Sequence, residues 1–107
     1  MKKALKTIML ALVLTSPAYA GQIYGSLKED GRAVANAGFE VVCREGSFRG
    51  TTDGYGAYSI NVGRGKCTFR LNYRNQQPSV DVFSSDSALR YDFDVVNNNG
   101  TLGLVRR

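Results

Sequence analysis

The sequence of 107 residues contains no histidine and no tryptophan, and it has only two prolines and two cysteines. Histidine is the usual general base at neutral pH and the commonest metal ligand, so its absence argues against an enzyme or a metal protein. No segment shows a sustained period of 3.6 residues, which argues against helices. The sequence therefore predicts an all-β, non-catalytic chain with no cofactor and no metal site.

Residues 1–20 are organised like a signal peptide. Lys2, Lys3 and Lys6 precede a short apolar run from Ile8 to Leu14, and the segment ends in Ala18-Tyr19-Ala20, a small-x-small cleavage pattern. The run is too short for a membrane span, which needs about 20 apolar residues. We expect cleavage after Ala20 and a periplasmic or secreted domain of residues 21–107, with no membrane span.

The charge of residues 21–107 excludes a nucleic-acid partner. Three of the 14 basic residues leave with the signal peptide, so 11 remain against 9 acidic residues. The arginines are spread singly along the chain, and no basic cluster or nucleic-acid-binding motif is present.

Cys43 and Cys67 are predicted to form a structural disulfide. They are the only cysteines, and export favours oxidation. A redox pair is the alternative, but redox pairs usually lie in Cys-x-x-Cys motifs. Both cysteines fall on inward strand faces by alternation, as a bridge through the core requires.

The stretch from Gly50 to Val62 is a tight turn followed by a strand. The short Asp53 carboxylate can bond to nearby amides, and Gly54 and Gly56 can adopt positive φ without a Cβ clash. Further period-two segments predict strands at residues 22–28, 39–43, 48–52, 66–73, 80–84 and 89–95. A short tail from about residue 97 supplies an additional edge strand. Together they predict a small antiparallel β-sandwich of about seven strands.

Two pieces of sequence resemble the carboxypeptidase regulatory-like domains: residues 22–41, with Gly25 at the centre of the first strand, and Thr52-Asp53-Gly54-Tyr55-Gly56-Ala57-Tyr58. The resemblance implies a transthyretin-like, Greek-key sandwich and extends to about Tyr73. It says little about function, because the family serves as stalk, accessory or binding module. The two cysteines and the tail lie outside the family pattern. The histidine-dependent lactam hydrolases of the transthyretin-like group are excluded.

Candidate binding residues fall into two sets. Tyr24, Phe48 and Tyr55 are predicted at outward or turn positions, where aromatic rings stack on sugars. The tail residues Leu102, Leu104, Arg106 and Arg107 either dock on the chain's own sheet or add to a partner's edge, with the arginines capping the edge or meeting an acidic partner.

Two carboxylate features have ordinary structural interpretations. Asp92 and Asp94 lie two residues apart on one strand face and could hold a cation, but we expect them to be outward charges opposite Arg70 or Arg90. Asp53 offers too few oxygens for calcium.

The sequence favours a binding module for a protein partner in the periplasm or at the cell surface. A carbohydrate-binding module of the starch-binding kind, or a small inhibitor or immunity-type protein, remains the alternative.

Overall fold

The structure is a computed structural model that describes residues 21–107; the predicted signal peptide lies outside these residues. Ten strands make up the described part of the chain: β1 (Gly21–Glu29), β2 (Arg32–Ala33), β3 (Gly38–Cys43), β4 (Gly46–Thr51), β5 (Ala57–Val62), β6 (Gly65–Leu71), β7 (Ser79–Ser84), β8 (Leu89–Arg90), β9 (Phe93–Asn98) and β10 (Thr101–Arg106).

The strands form two sheets, which confirms the predicted all-β sandwich. β1 is the centre of the first sheet, where it pairs with β5 and β2 along one side and with β8 and β9 along the other, and β10 follows β9 at the edge. The second sheet has the order β4-β3-β6-β7 and is antiparallel throughout.

The core is an aromatic cluster between the two sheets. Phe69 of the second sheet is fully buried and stacks on Phe39 with 4.9 Å between ring centroids. From the first sheet, Tyr58 lies 5.3 Å and Phe93 5.2 Å from the Phe69 ring. Aromatic pairs at these distances contribute about 0.5–1.5 kcal/mol beyond their buried area. Phe69 therefore joins the two layers.

The turn between β4 and β5 ties three segments together. The buried Thr52 hydroxyl accepts the N–H of Ala37 and donates to the carbonyl of Val34, at 2.9 and 2.7 Å. The Asp53 carboxylate accepts the N–H groups of Tyr55 and Ala57, at 2.8 and 2.9 Å. The polar groups of the β2–β3 connection and of the turn thus satisfy each other without water.

Of the two glycines in this turn, only Gly56 has a positive φ, at 79°. A Cβ on Gly56 would lie 2.6 Å from the carbonyl oxygen of Leu27, whereas a Cβ on Gly54 would meet nothing within 4 Å. Of the two positions where glycine permits left-handed backbone, the turn therefore uses only one.

Replacing the two glycines separately should distinguish their roles. We expect Gly56→Ala to lower the free energy of unfolding by about 2 kcal/mol or more, because alanine is strained at this φ and collides with Leu27. Gly54→Ala should change it by less than about 0.5 kcal/mol. Chemical denaturation of both variants measures the difference, and equal losses would contradict this account of the turn.

The Cys43–Cys67 disulfide is present, and both cysteines are buried, as predicted. The two residues are direct cross-strand partners on β3 and β6, with Cα atoms 4.3 Å apart. The bridge therefore staples neighbouring strands of one sheet. It does not connect the two layers of the sandwich.

Removing the disulfide should destabilise the fold. Closing a loop of this length, a sequence separation of 24, stabilises by about 3 kcal/mol in the chain-entropy model. We expect reduction of the wild type, or the double substitution Cys43→Ala with Cys67→Ala, to lower the free energy of unfolding by about that amount. The double variant should not respond to reductant, and an equally stable reduced wild type would refute the prediction.

The structure differs from the predicted strands near the C-terminal end. The predicted strand at residues 89–95 is broken into β8 and β9, because the regular ladder with β1 is interrupted where the N–H of Ser26 donates to the Asp92 side chain. The Asn99-Gly100 pair closes a two-residue hairpin between β9 and β10, with φ values of 53° and 95°. Such values define the type I′ turn that suits hairpins.

Candidate binding groove

A polar groove lies at one end of the sandwich, where the β1–β2 turn, the β6–β7 loop and the end of β9 meet. Its volume is about 630 Å³. The side chains that line it carry both signs of charge, and they include Glu29, Asp30, Arg32, Tyr73, Arg74 and Asn97. A smaller depression formed by residues 72–77 adjoins it. This end of the molecule therefore has a concave, polar surface.

Glu29 fixes two of the large side chains of the groove, Tyr73 and Arg74. Its carboxylate meets the Arg74 guanidinium in a two-pronged ion pair, at 2.7 and 2.9 Å, and accepts the Tyr73 hydroxyl at 2.9 Å. The guanidinium also lies 4.8 Å from the centroid of the Tyr73 ring. Burial, together with the hydrogen bond to Glu29, raises the pKa of Tyr73, so the phenol stays protonated.

The backbone also holds Arg74 in place. Tyr73 and Gln76 exchange two backbone hydrogen bonds, at 3.0 and 2.9 Å, around Arg74 and Asn75, which have φ values of 51° and 61°. A left-handed conformation costs a residue such as arginine about 1–3 kcal/mol and persists only where the surroundings impose it. The Arg74 side chain nevertheless remains 56% exposed. It is therefore both held in position and accessible from solvent.

The predicted aromatic residues do not form a platform. Tyr24, on β1, is 39% exposed and lies opposite Ser59 and Arg90, while Tyr55 is 84% exposed at the β4–β5 turn. Phe48 was expected to face outward, but it lies opposite Val41 on the inner face of its sheet and packs against the core. The three rings are therefore on three different elements and are not side by side.

The apolar tail residues are part of the core. Leu102 and Leu104 are 7% and 8% exposed, because β10 pairs with β9 and turns both side chains between the sheets. The tail thus docks on its own sheet, and neither leucine is available to a partner. The alternation Leu-Gly-Leu was consistent with either outcome, since a buried strand and an added strand have the same period.

Arg106 and Arg107 are also occupied within the fold. The Arg106 guanidinium lies 4.3 Å from the centroid of the Tyr91 ring. Arg107 pairs with Asp94 at 2.7 Å and donates to the Ser26 hydroxyl at 2.9 Å. The two arginines therefore help to hold the C-terminal strand on the sheet.

Asp92 fills the gap between β8 and β9. Its carboxylate accepts the backbone N–H of Ser26 at 2.9 Å and the Ser26 hydroxyl at 3.2 Å, and it pairs with Arg90 at 2.9 Å. Burial opposes ionisation, but the hydrogen bonds from Ser26 and the charges of Arg90 and Arg107 outweigh it and lower the pKa of Asp92. Arg70, the other expected partner, pairs with Glu40.

The low pKa of Asp92 predicts a pH-dependent contribution to stability. Because the folded-state pKa lies below the unfolded value of about 3.9, the contribution is present above that pH and is lost as pH falls through the folded pKa. We expect Asp92→Asn to flatten the acid side of the stability profile. Asp81→Asn is the control, since its exposed carboxylate contacts Lys66 at 3.5 Å. Identical acid profiles for wild type and Asp92→Asn would contradict the assignment.

Residues 21–107 contain neither a cluster of metal-ligating side chains nor a membrane-spanning helix. No group of three or more cysteine, aspartate or glutamate side chains converges there in a way that could hold a metal ion. None of the elements in that range is a helix long and apolar enough to cross a membrane.

Comparisons with known proteins bear on the fold. The chain is similar to a DUF3823 family protein from Parabacteroides merdae, with a TM-score of 0.53 and 13% identity over 84% of this chain and 48% of that chain. It is also similar to a 9R-lipoxygenase from Cyanothece, with a TM-score of 0.48 and 15% identity over 86% of this chain and 17% of that chain.

Only the first of these likenesses has a TM-score above 0.5, and at such low identity it shows the β-sandwich fold alone. The chain spans about half the length of that DUF3823 protein. No family model and no curated protein matches the sequence.

Proposed function

We propose that this chain is a non-catalytic exported binding module that contacts a protein partner, in the periplasm or at the cell surface, through the groove at the end of the sandwich. The observation that carries the proposal is the Glu29–Arg74–Tyr73 arrangement. Tyrosine and arginine are enriched among the residues that dominate protein interfaces. An arginine fixed before binding loses less side-chain entropy when the partner arrives.

Export and family membership belong to the same proposal. The signal-like segment at residues 1–20 and the Cys43–Cys67 disulfide support an oxidising compartment. The Thr52–Gly56 turn, with its bonds to the β2–β3 connection, supports a carboxypeptidase regulatory-like sandwich. An inhibitor or immunity-type protein would be a special case in which the partner is a secreted enzyme.

The carbohydrate-binding alternative has less support. Sugar recognition of the starch-binding kind uses aromatic rings placed side by side on an exposed face. Here Tyr24 and Tyr55 lie on separate elements, and Phe48 packs against the core.

Affinity capture with two matched variants tests the proposal. Arg74 and Arg64 are exposed arginines, each paired with one carboxylate, but Arg64 pairs with Asp86 outside the groove. We expect mature, oxidised protein to capture one dominant partner from periplasmic extract. Arg74→Ala should reduce capture at least about tenfold, the effect of losing a contact worth about 1.4 kcal/mol, while Arg64→Ala should not.

Unchanged capture by Arg74→Ala would overturn the assignment of the groove. Binding to a glycan array by a protein that captures no partner would favour the carbohydrate alternative. Thermal unfolding of each variant confirms that its fold is intact.

A further inference from the structure

Side chains block part of two of the four sheet edges. On β7, the Tyr91 hydroxyl accepts the N–H of Phe83 at 2.9 Å and donates to its carbonyl at 3.3 Å. On β10, the Gln76 amide accepts the N–H of Leu102 at 2.9 Å and donates to the carbonyl of Gly100 at 2.8 Å. Each side chain occupies backbone groups that an added strand would need, which is a common way of protecting an edge.

The edge of β5 is partly blocked. Asp53 occupies both outward backbone groups of Ala57. Its carboxylate accepts the Ala57 N–H, and its backbone N–H donates to the Ala57 carbonyl, each at 2.9 Å. Only Ser59 and Asn61 remain on the outward side of this strand.

The outward backbone groups of β4 have no hydrogen-bond partner within residues 21–107, although β5 passes close beside the strand. Thr52 donates its N–H to the carbonyl of Ala37 in continuation of the β3–β4 pair, so by alternation the backbone groups of Ser47, Arg49 and Thr51 point away from β3. No backbone hydrogen bond from residues 21–107 reaches these three residues. All three are exposed, and the strand contains neither proline nor bulge.

The charges beside this edge indicate what would bind there. Across the outer face of the sheet, Arg70 of β6, Glu40 of β3 and Arg49 of β4 stand in one row. Glu40 lies 3.6 Å from Arg70 and 3.7 Å from Arg49, so one carboxylate serves two guanidinium groups. The Arg49 side chain is 84% exposed. On a strand added beside β4, the residue opposite Arg49 would therefore be favoured if it carried a negative charge.

We propose that the β4 edge accepts an extended strand from a protein partner that places an acidic residue opposite Arg49. The inference rests on the proposed function in taking the partner to be a protein, but it uses a surface separate from the end groove. A second copy of this chain fits less well, because antiparallel pairing centred on Arg49 sets two arginines opposite each other. A shallow depression of about 380 Å³ beside Arg49 and Thr51 leaves room for the partner's side chains.

Two synthetic peptides test this proposal on the mature, oxidised protein: Thr-Val-Thr-Glu-Thr-Val-Thr and the same sequence with lysine at the centre. The glutamate peptide should slow amide hydrogen exchange at Ser47, Arg49 and Thr51. The lysine peptide should bind more weakly, by a factor of up to about five, given the size of cross-strand charge effects. Arg49→Glu should reverse the preference.

A matched pair at Ser47 separates backbone pairing from charge attraction. Ser47→Pro removes an outward N–H and leaves the β3 ladder intact, so it should abolish binding of the glutamate peptide. Ser47→Ala keeps that donor and should bind as the wild type does. Amide spectra of both variants report whether the sheet is preserved.

Three results would overturn the proposal: no slowing at the three amides with the glutamate peptide at about 1 mM, where even weak binding registers; equal affinity for both peptides; or slowing at Ser59 and Asn61 instead. Arg74→Ala should not affect peptide binding. If partner capture depends on Arg74 while the peptides fail, the edge proposal is wrong and the binding function stands.

Discussion

The hydrogen bonds of Thr52 and Asp53 are the constraint on which the arrangement of the two sheets depends. The chain passes from the second sheet to the first between β4 and β5, and at that crossing its polar groups leave the regular ladders. Thr52 satisfies the connection that leads into β3, and Asp53 satisfies the start of β5. Gly56 lets the turn approach β1, since its carbonyl accepts the N–H of Leu27. Without this turn, the relative position of the two sheets would not be fixed where the chain crosses from β4 to β5.

Much of this fold could be predicted from the sequence because a strand with one buried face has a period of two. Alternation placed Cys67, Phe69 and Leu71 on the inner face, and the structure places them there. It misplaced Phe48, because a single aromatic residue between polar and glycine neighbours does not define a face. It also missed the break at Tyr91 and Asp92, where the pattern continues although the strand pairing does not.

The groove was less predictable than the fold. The sequence around Arg74 and Asn75 does not indicate their left-handed turn, because it lacks the Asn-Gly or Asp-Gly pair that usually signals one. Glu29 lies 44 residues before Tyr73 in the chain, and their hydrogen bond depends on which loops meet at the same end of the sandwich. Such proximity follows from topology, and local sequence patterns do not contain it.

The position of the disulfide makes it compatible with one pairing register of β3 and β6. A slip of one residue between β3 and β6 would turn Cys43 and Cys67 to opposite faces of the sheet. A slip of two residues would separate them by about 7 Å along the strands, beyond the reach of a disulfide. Once formed, the disulfide therefore excludes these shifted pairings and holds β3 and β6 in their native register.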